Sequence, residues 1–183
     1  MPEPLTLASR SPQRRAILEQ LEVDFVVAVP AVEELTAGDP EAMVVENARR
    51  KARSVAGELV LGVDTTVVLE GQVLGKPADE AQARAFLSAL SGKSHEVWSG
   101  IALVQDGRER TAAGVTRVRF RSLVGADLDW YLATEEWRGR AGGYAIQARG
   151  ATLVEAIEGE YLNVVGLPVA ELVRLAPQLV RGG

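Results

Sequence analysis

The run Glu58-Leu59-Val60-Leu61-Gly62-Val63-Asp64-Thr65-Thr66 decides how the chain is read. Leu59, Val60, Leu61 and Val63 are apolar without alternation, so Glu58 to Val63 reads as a buried strand. A carboxylate directly after such a strand, Asp64, is expected at its carboxyl end, where α/β proteins bind their ligands. Gly75-Lys76-Pro77 follows on a short loop. A base or metal ligand and an anion-binding cation are therefore expected to share one cleft, which points to chemistry on a phosphorylated substrate.

Working outward, Leu5 to Ala8 reads as a first strand, and Ser11-Pro12 opens a helix with Ser11 as its cap. Ile17, Leu18 and Leu21 form that helix's buried stripe. Phe25 to Val29 is a second strand leading to Glu33-Glu34. Asp39-Pro40 opens a second helix, with Val44, Ala48, Ala52 and Val55 on its inner face and Asn47, Lys51 and Ser54 on a separate polar face. Downstream, Val67-Val68-Leu69 and Val73-Leu74 read as a hairpin around Glu70-Gly71-Gln72. Asp79 caps a third helix that Gly92 stops. Strands at Val97–Val104 and Gly114–Arg121 are joined through Asp106-Gly107, a strong turn pair. In the second, Val118 and Phe120 alternate with Arg117, Arg119 and Arg121, giving one buried and one cationic face. A short helix near Asp127–Ala133 precedes a glycine-rich loop. Two last strands are expected to flank Glu158-Gly159-Glu160, and Pro168 begins a final helix. Strands and helices mix without strict βαβ alternation, so the fold is expected to be α/β, with a mixed central sheet and flanking helices.

The 183 residues suit one domain, and an apolar content of 47% is too high for disorder. A net charge of −5 argues against a nucleic-acid partner or an anionic membrane surface. The absence of cysteine excludes disulfides and zinc–thiolate sites, and the single histidine, His95, excludes multi-histidine metal sites. A metal would be held by carboxylates and water, which suits Mg²⁺ or Mn²⁺. Met1-Pro2-Glu3-Pro4 does not open a signal peptide, and no apolar stretch approaches the ~20 residues of a membrane span. The cytoplasm is the expected compartment.

Five constellations can carry chemistry. Ser9-Arg10-Ser11-Pro12-Gln13-Arg14-Arg15 places arginines at a helix start, where free N–H groups and the helix dipole favour anions; an ordinary capped helix with solvated arginines reads the same way. Glu33-Glu34 follows a strand and can hold Mg²⁺ beside Asp64, or simply be solvated. Lys51 can reach a phosphate from its helix. Asp64 with Thr65 and Lys76 stands out, because a buried carboxylate is costly unless hydrogen-bonded, paired or metal-bound; capping a turn through Thr65 or Thr66 is the structural alternative. Gly142-Gly143-Tyr144-Ala145-Ile146-Gln147 allows close backbone approach to a ligand, and Gln147 offers the donor and acceptor that base recognition needs.

In series, these segments resemble the Maf family of nucleoside triphosphate pyrophosphatases. The resemblance is carried by Leu7 to Arg15, Glu33-Glu34, Ala48 to Ala52, Asp64 to Val67, Gly75-Lys76-Pro77, Ser91 to Val97, Ala141 to Gln147 and Val165 to Pro168. These runs occur in family order and span nearly the whole chain. The resemblance implies one two-lobed domain over residues 1–183, a Maf/Ham1-like fold with a strongly twisted sheet around a cleft, often as a homodimer. It implies hydrolysis of a nucleoside triphosphate to the monophosphate and pyrophosphate with a divalent metal. By position, Asp64 matches the proton acceptor and, with Glu34, the metal site. Lys51 and Lys76 match the catalytic cations, and Ser9 and Arg14 the substrate contacts. Family members acting on dTTP and UTP carry Arg, Thr and Gln at three base-choice positions; this chain has Gln13, Thr65 and Gln147. The expected activity is therefore on dTTP and UTP, with Gln13 a departure. House-cleaning of other non-standard nucleotides and nucleotide-dependent control of cell division are the alternatives.

Overall fold

The computed structural model describes residues 4–181; Met1 to Glu3, part of the reading of the N-terminus, and Gly182-Gly183 lie outside them. In chain order come β1 (Leu5–Ala8), α1 (Pro12–Gln20), β2 (Phe25–Ala28), α2 (Pro40–Arg53), β3 (Leu59–Leu69) and β4 (Gln72–Leu74). Then follow α3 (Glu80–Leu90), β5 (Ser94–Gln105), β6 (Arg108–Phe120), α4 (Gly125–Ala133), β7 (Val154–Glu158), α5 (Tyr161–Val165), α6 (Val169–Leu175) and α7 (Gln178–Arg181). The strands hydrogen-bond in the order β2-β1-β3-β5-β6-β7, with β4 on β3. β1 is parallel to β2 and β3, while β4 and β7 are antiparallel to β3 and β6, so the sheet is mixed, as expected.

The decisive apolar run is a strand, but Asp64 does not end it. β3 continues to Leu69, because residues 67–69 pair with β4 after β1 has stopped. β1 ends with Ala8 opposite Gly62. Asp64 therefore lies just past the carboxyl end of the parallel ladder, though inside a strand.

The chain divides into two compact units. The first holds residues up to Thr65, Ser99–Gly114 and those from Gly166 on. Its helices start as their caps dictate: Ser11 accepts from Arg14 N, and Asp39 accepts from Ala42 N at 2.9 Å, each followed by proline. α2 packs on the sheet through Ala48 and Ala52 against Ala8, Val60 and Ala102. Two glycines set how close it lies. A Cβ on Gly62 would stand 2.0 Å from Ala48 O, and one on Gly100 would stand 2.4 Å from Val44 C. The helix backbone rests on the strand backbone, and no side chain fits between them. The turn between β5 and β6 is as read, with Asp106 and Gly107 at φ 50° and 72°.

The second unit holds Thr66–Trp98 and Val115–Val165. Asp79 caps α3, accepting from Gln82 N at 2.8 Å, and Leu87 and Leu90 join Val118, Phe120 and Tyr131 in the core. The alternation along β6 holds, with Val118 and Phe120 fully buried. Its outward arginines are matched one by one: Arg119 to Glu155 at 2.7 Å, Arg121 to Asp127 at 2.8 Å, and Arg117 to Glu158 at 3.6 Å. The cationic stripe is thus neutralised locally. Only one strand borders Glu158-Gly159-Glu160. The expected second strand is the helix α5, whose Asn163 turns inward to donate to Val97 O and Thr116 Oγ1. Ala141–Gly143 is a 3₁₀ turn with Gly142 at φ 67°, and no strand follows it through Gln147.

Candidate active site

Two buried side chains of the first unit, Lys51 and Asn47, converge on the Asp64 carboxylate. Asp64 is 6% exposed, in a strand that is buried along most of its length, so each carboxylate oxygen needs a donor. Lys51 Nζ donates to Oδ1 at 2.6 Å, and Asn47 Nδ2 donates to Oδ2 at 2.9 Å. Both donors come from α2, one helical turn apart, and both are buried. The polar face read for this helix is thus turned inward, because the glycine contacts press α2 onto β3. Ser54, assigned to the same face, is instead the exposed C-cap and bonds Lys51 O.

The Lys51 ammonium has three donors and three acceptors: Asp64 Oδ1, Glu34 Oε1 at 3.0 Å and Val63 O at 3.3 Å. It bridges a buried carboxylate and one that is 38% exposed. The loop carrying Glu34 is held by Asn47, which accepts from Leu35 N at 2.7 Å and donates to Leu35 O at 2.9 Å.

Arg14 forms the adjoining edge. It is buried, and its guanidinium donates from Nε to Gly166 O at 2.8 Å, from Nη1 to Ser9 Oγ at 3.1 Å and from Nη2 to Thr65 Oγ1 at 3.1 Å. Burial pulls its pKa below the ordinary value, opposed by the charges of Asp64 and Glu34. Among the described residues, the bonds to Ser9 and Thr65 use one N–H of each terminal nitrogen, and the second N–H of each can donate to an anion. Ser9 Oγ accepts from Arg14 and from Ser11 N at 3.1 Å, which leaves its own proton to donate. Thr65 Oγ1 lies 2.9 Å from Ser99 Oγ, a neighbour that sequence reading did not single out. Gln13 Oε1 accepts from the Ser11 hydroxyl at 3.1 Å, which orients its amide at the helix start.

Ser9, Gln13, Arg14, Glu34, Lys51, Asp64 and Thr65 all belong to the first unit, whereas Lys76 and Gln147 belong to the second and are exposed there. Asn47 was legible only in part. Its spacing of four from Lys51 puts it on the same helix face, but nothing local says that this face is buried. His95 has no place in the constellation. It lies in the second unit's core, its Nε2 2.7 Å from Tyr144 Oη.

The oxygen donors of Asp64 and Glu34 are of the type that a hard divalent cation takes. Among the described residues no group of three or more His, Cys, Asp or Glu gathers as a protein cage. A cation at these two carboxylates would complete its shell with water and ligand oxygens, as Mg²⁺ commonly does.

A dTTP/UTP pyrophosphatase of Symbiobacterium thermophilum is 47% identical over 180 residues, 95% of this chain and 93% of the relative. The dTTP/UTP pyrophosphatase of Pyrococcus furiosus is 42% identical over 177 residues, 93% of each chain. The solved Staphylococcus aureus Ham1 protein aligns over 64% of this chain and 72% of that one, with a TM-score of 0.47 and 16% identity. The model of the Maf-like protein family matches residues 4–179, and the chain belongs to that family.

Proposed function

We infer that this protein is a nucleoside triphosphate pyrophosphatase that hydrolyses dTTP and UTP to the monophosphate and pyrophosphate. The observation that carries the chemistry is the buried Asp64 carboxylate, held through both oxygens by Lys51 and Asn47 while lone pairs on each remain free to accept a proton. A carboxylate fixed so firmly is suited to general-base work, worth roughly 10²–10⁴-fold in rate. The substrate range is that of the relatives 42–47% identical over nearly the whole chain.

In this reading Asp64 takes a proton from the attacking water as its oxygen bonds the α-phosphorus. The bond from that phosphorus to the bridging oxygen breaks, and pyrophosphate leaves with the electron pair. Ser9 and the free N–H groups of Arg14 donate to phosphate oxygens, and Lys51 keeps Glu34 and Asp64 together. Thr65 and Gln13 are assigned to the base. A divalent cation held by Asp64 and Glu34 would supply positive charge against the triphosphate. Residues 1–183 act as one catalytic domain.

Asp64→Asn keeps the size and one hydrogen-bonding oxygen but removes the base. Turnover of dTTP should fall by at least ~10²-fold with the circular dichroism spectrum unchanged. Near wild-type turnover would show that Asp64 is not the base. Pyrophosphate release should be measured across thymidine, uridine, guanosine and modified pyrimidine triphosphates, with Mg²⁺ and with chelator. Release from none of them would leave a nucleotide-binding protein without catalysis. Equal release from all would mean that Gln13 has relaxed the choice of base.

A further inference from the structure

We propose that Asn47 is a positioning residue that ties the Glu34 loop to Asp64, a role that rests on reading those carboxylates as the catalytic centre. Residues 29–39 join β2 to α2 without helix or strand, and Glu34 lies among them. Such a segment does not by itself hold a carboxylate at a fixed distance from another element. Asn47, 1% exposed, supplies the link with one carboxamide. Its Oδ1 accepts from Leu35 N at 2.7 Å, and its Nδ2 donates to Leu35 O and to Asp64 Oδ2, both at 2.9 Å. The first two bonds mimic a β-bridge to the residue after Glu34; the third reaches the carboxylate.

The carboxamide is the group that satisfies all three partners. An aspartate would accept from Leu35 N but would place a second acceptor against Asp64 Oδ2 and Leu35 O. Lys51, one turn along α2, then spans the two carboxylates, from 2.6 Å at Asp64 to 3.0 Å at Glu34. Arg50 Nη1 also reaches Glu33 O at 3.1 Å, but at an exposed position. With α2 pressed on β3 and β5 at Gly62 and Gly100, Asn47 is a fixed post from which the loop hangs.

The test is a cycle of Asn47→Leu, Glu34→Gln and the double variant, read by kcat and KM on dTTP. Amide exchange at Leu35 is followed alongside. Leucine keeps the volume and removes all three bonds. Misplacement of a reacting group of this kind costs roughly 10²-fold, so Asn47→Leu should lower kcat by about that factor and leave KM nearly unchanged. Its cost should shrink in the Glu34→Gln background, since the part that acts by misplacing the Glu34 loop then moves a carboxylate already neutralised, while the part that acts through Asp64 stays. Leu35 exchange should quicken while core amides hold.

Equal cost in both backgrounds, or unaltered Leu35 exchange, would overturn the proposal. If Asn47→Leu does not fold, Asn47→Ser removes the paired bonds to Leu35 with a smaller change and is judged by the same criteria. Wild-type rates in Asp64→Asn or Glu34→Gln would sink the reading of the centre itself. Full activity in Asn47→Leu with both of those inactive would sink only the positioning role.

Discussion

At the scale of residues, the site rests on a buried charge pair whose two members are not equally replaceable. Without Asp64, Lys51 still has Glu34 at 3.0 Å, whereas Asp64 has no other cation within salt-bridge distance among the described residues. Lys51 and Asp64 are both buried, and each is the other's nearest opposite charge, at 2.6 Å. Replacing a pair like this wholesale is often tolerated, whereas removing the cation alone leaves a buried carboxylate uncompensated and costs about 3–5 kcal/mol. Lys51→Met keeps the stem and deletes the ammonium, so it should lose stability in that range by urea unfolding. Adding Asp64→Asn should return a large part of the loss, because the neutral amide no longer needs the cation. A Lys51→Met variant as stable as the parent would mean that water or another cation compensates Asp64. Arg14 differs in kind. Its bonds to Gly166 O, Ser9 and Thr65 are spread over three segments, so it organises the site's edge as well as offering N–H groups to a ligand.

At the scale of elements, the closeness of α2 to β3 and β5 is what brings Lys51 and Asn47 to Asp64. Gly62→Ala places a methyl against Ala48 O, and the helix must move to admit it. Overpacking against backbone at the upper end of its usual cost, about 3 kcal/mol, should lower the melting temperature by roughly 6–12 °C for a chain of this size. Activity should fall further than stability alone explains, since Lys51 is one turn from Ala48. Gly125→Ala, at an open position at the start of α4, is the control and should be neutral or slightly stabilising. Unchanged melting in Gly62→Ala would show that α2 has slack. This contact also marks where sequence reading stopped. Caps at Ser11, Asp39 and Asp79, the Asp106-Gly107 turn and the β6 alternation were legible because each is decided within a few residues. The inward turn of Asn47 and Lys51 was not, because it depends on two glycines that lie in other elements, Gly62 in β3 and Gly100 in β5, and meet α2 only in the fold. The length of β3 was missed because its ladder changes partner from β1 to β4 partway along. Tyr161 to Val165 carries strand-forming residues, yet the buried bonds of Asn163 impose a helical turn, a case of tertiary context overriding propensity.

At the scale of the whole molecule, the composition makes one pH dependence unusually clean. His95 is the only histidine. It is 2% exposed, set edge-on against Phe120 and Tyr144, and Nδ1 has no hydrogen-bond partner among the described residues. A charged imidazole carries two N–H donors, and this site offers nothing for the second. Burial therefore pulls the His95 pKa from 6.5 to about 4. Between those values the unfolded chain binds a proton that the native one refuses, so stability is complete above pH 6.5 and declines as the pH falls toward 4. The slope should be about 1.4 kcal/mol per pH unit. Asp127 acts in a separate, lower window. The hydrogen bond from Arg121, then that from Val124 N, hold it at about 2, so its contribution is present above 3.8 and fades as the pH falls through about 2. Trp98, Trp130 and Trp137 all lie in the second unit with His95, so fluorescence-detected urea unfolding follows the right part of the molecule. His95→Gln should flatten the stability profile between pH 6.5 and 4 and leave the acid region below it unchanged. If the slope persists without the imidazole, its source is a carboxylate. If it appears by fluorescence and not by circular dichroism, the two units do not unfold as one cooperative body.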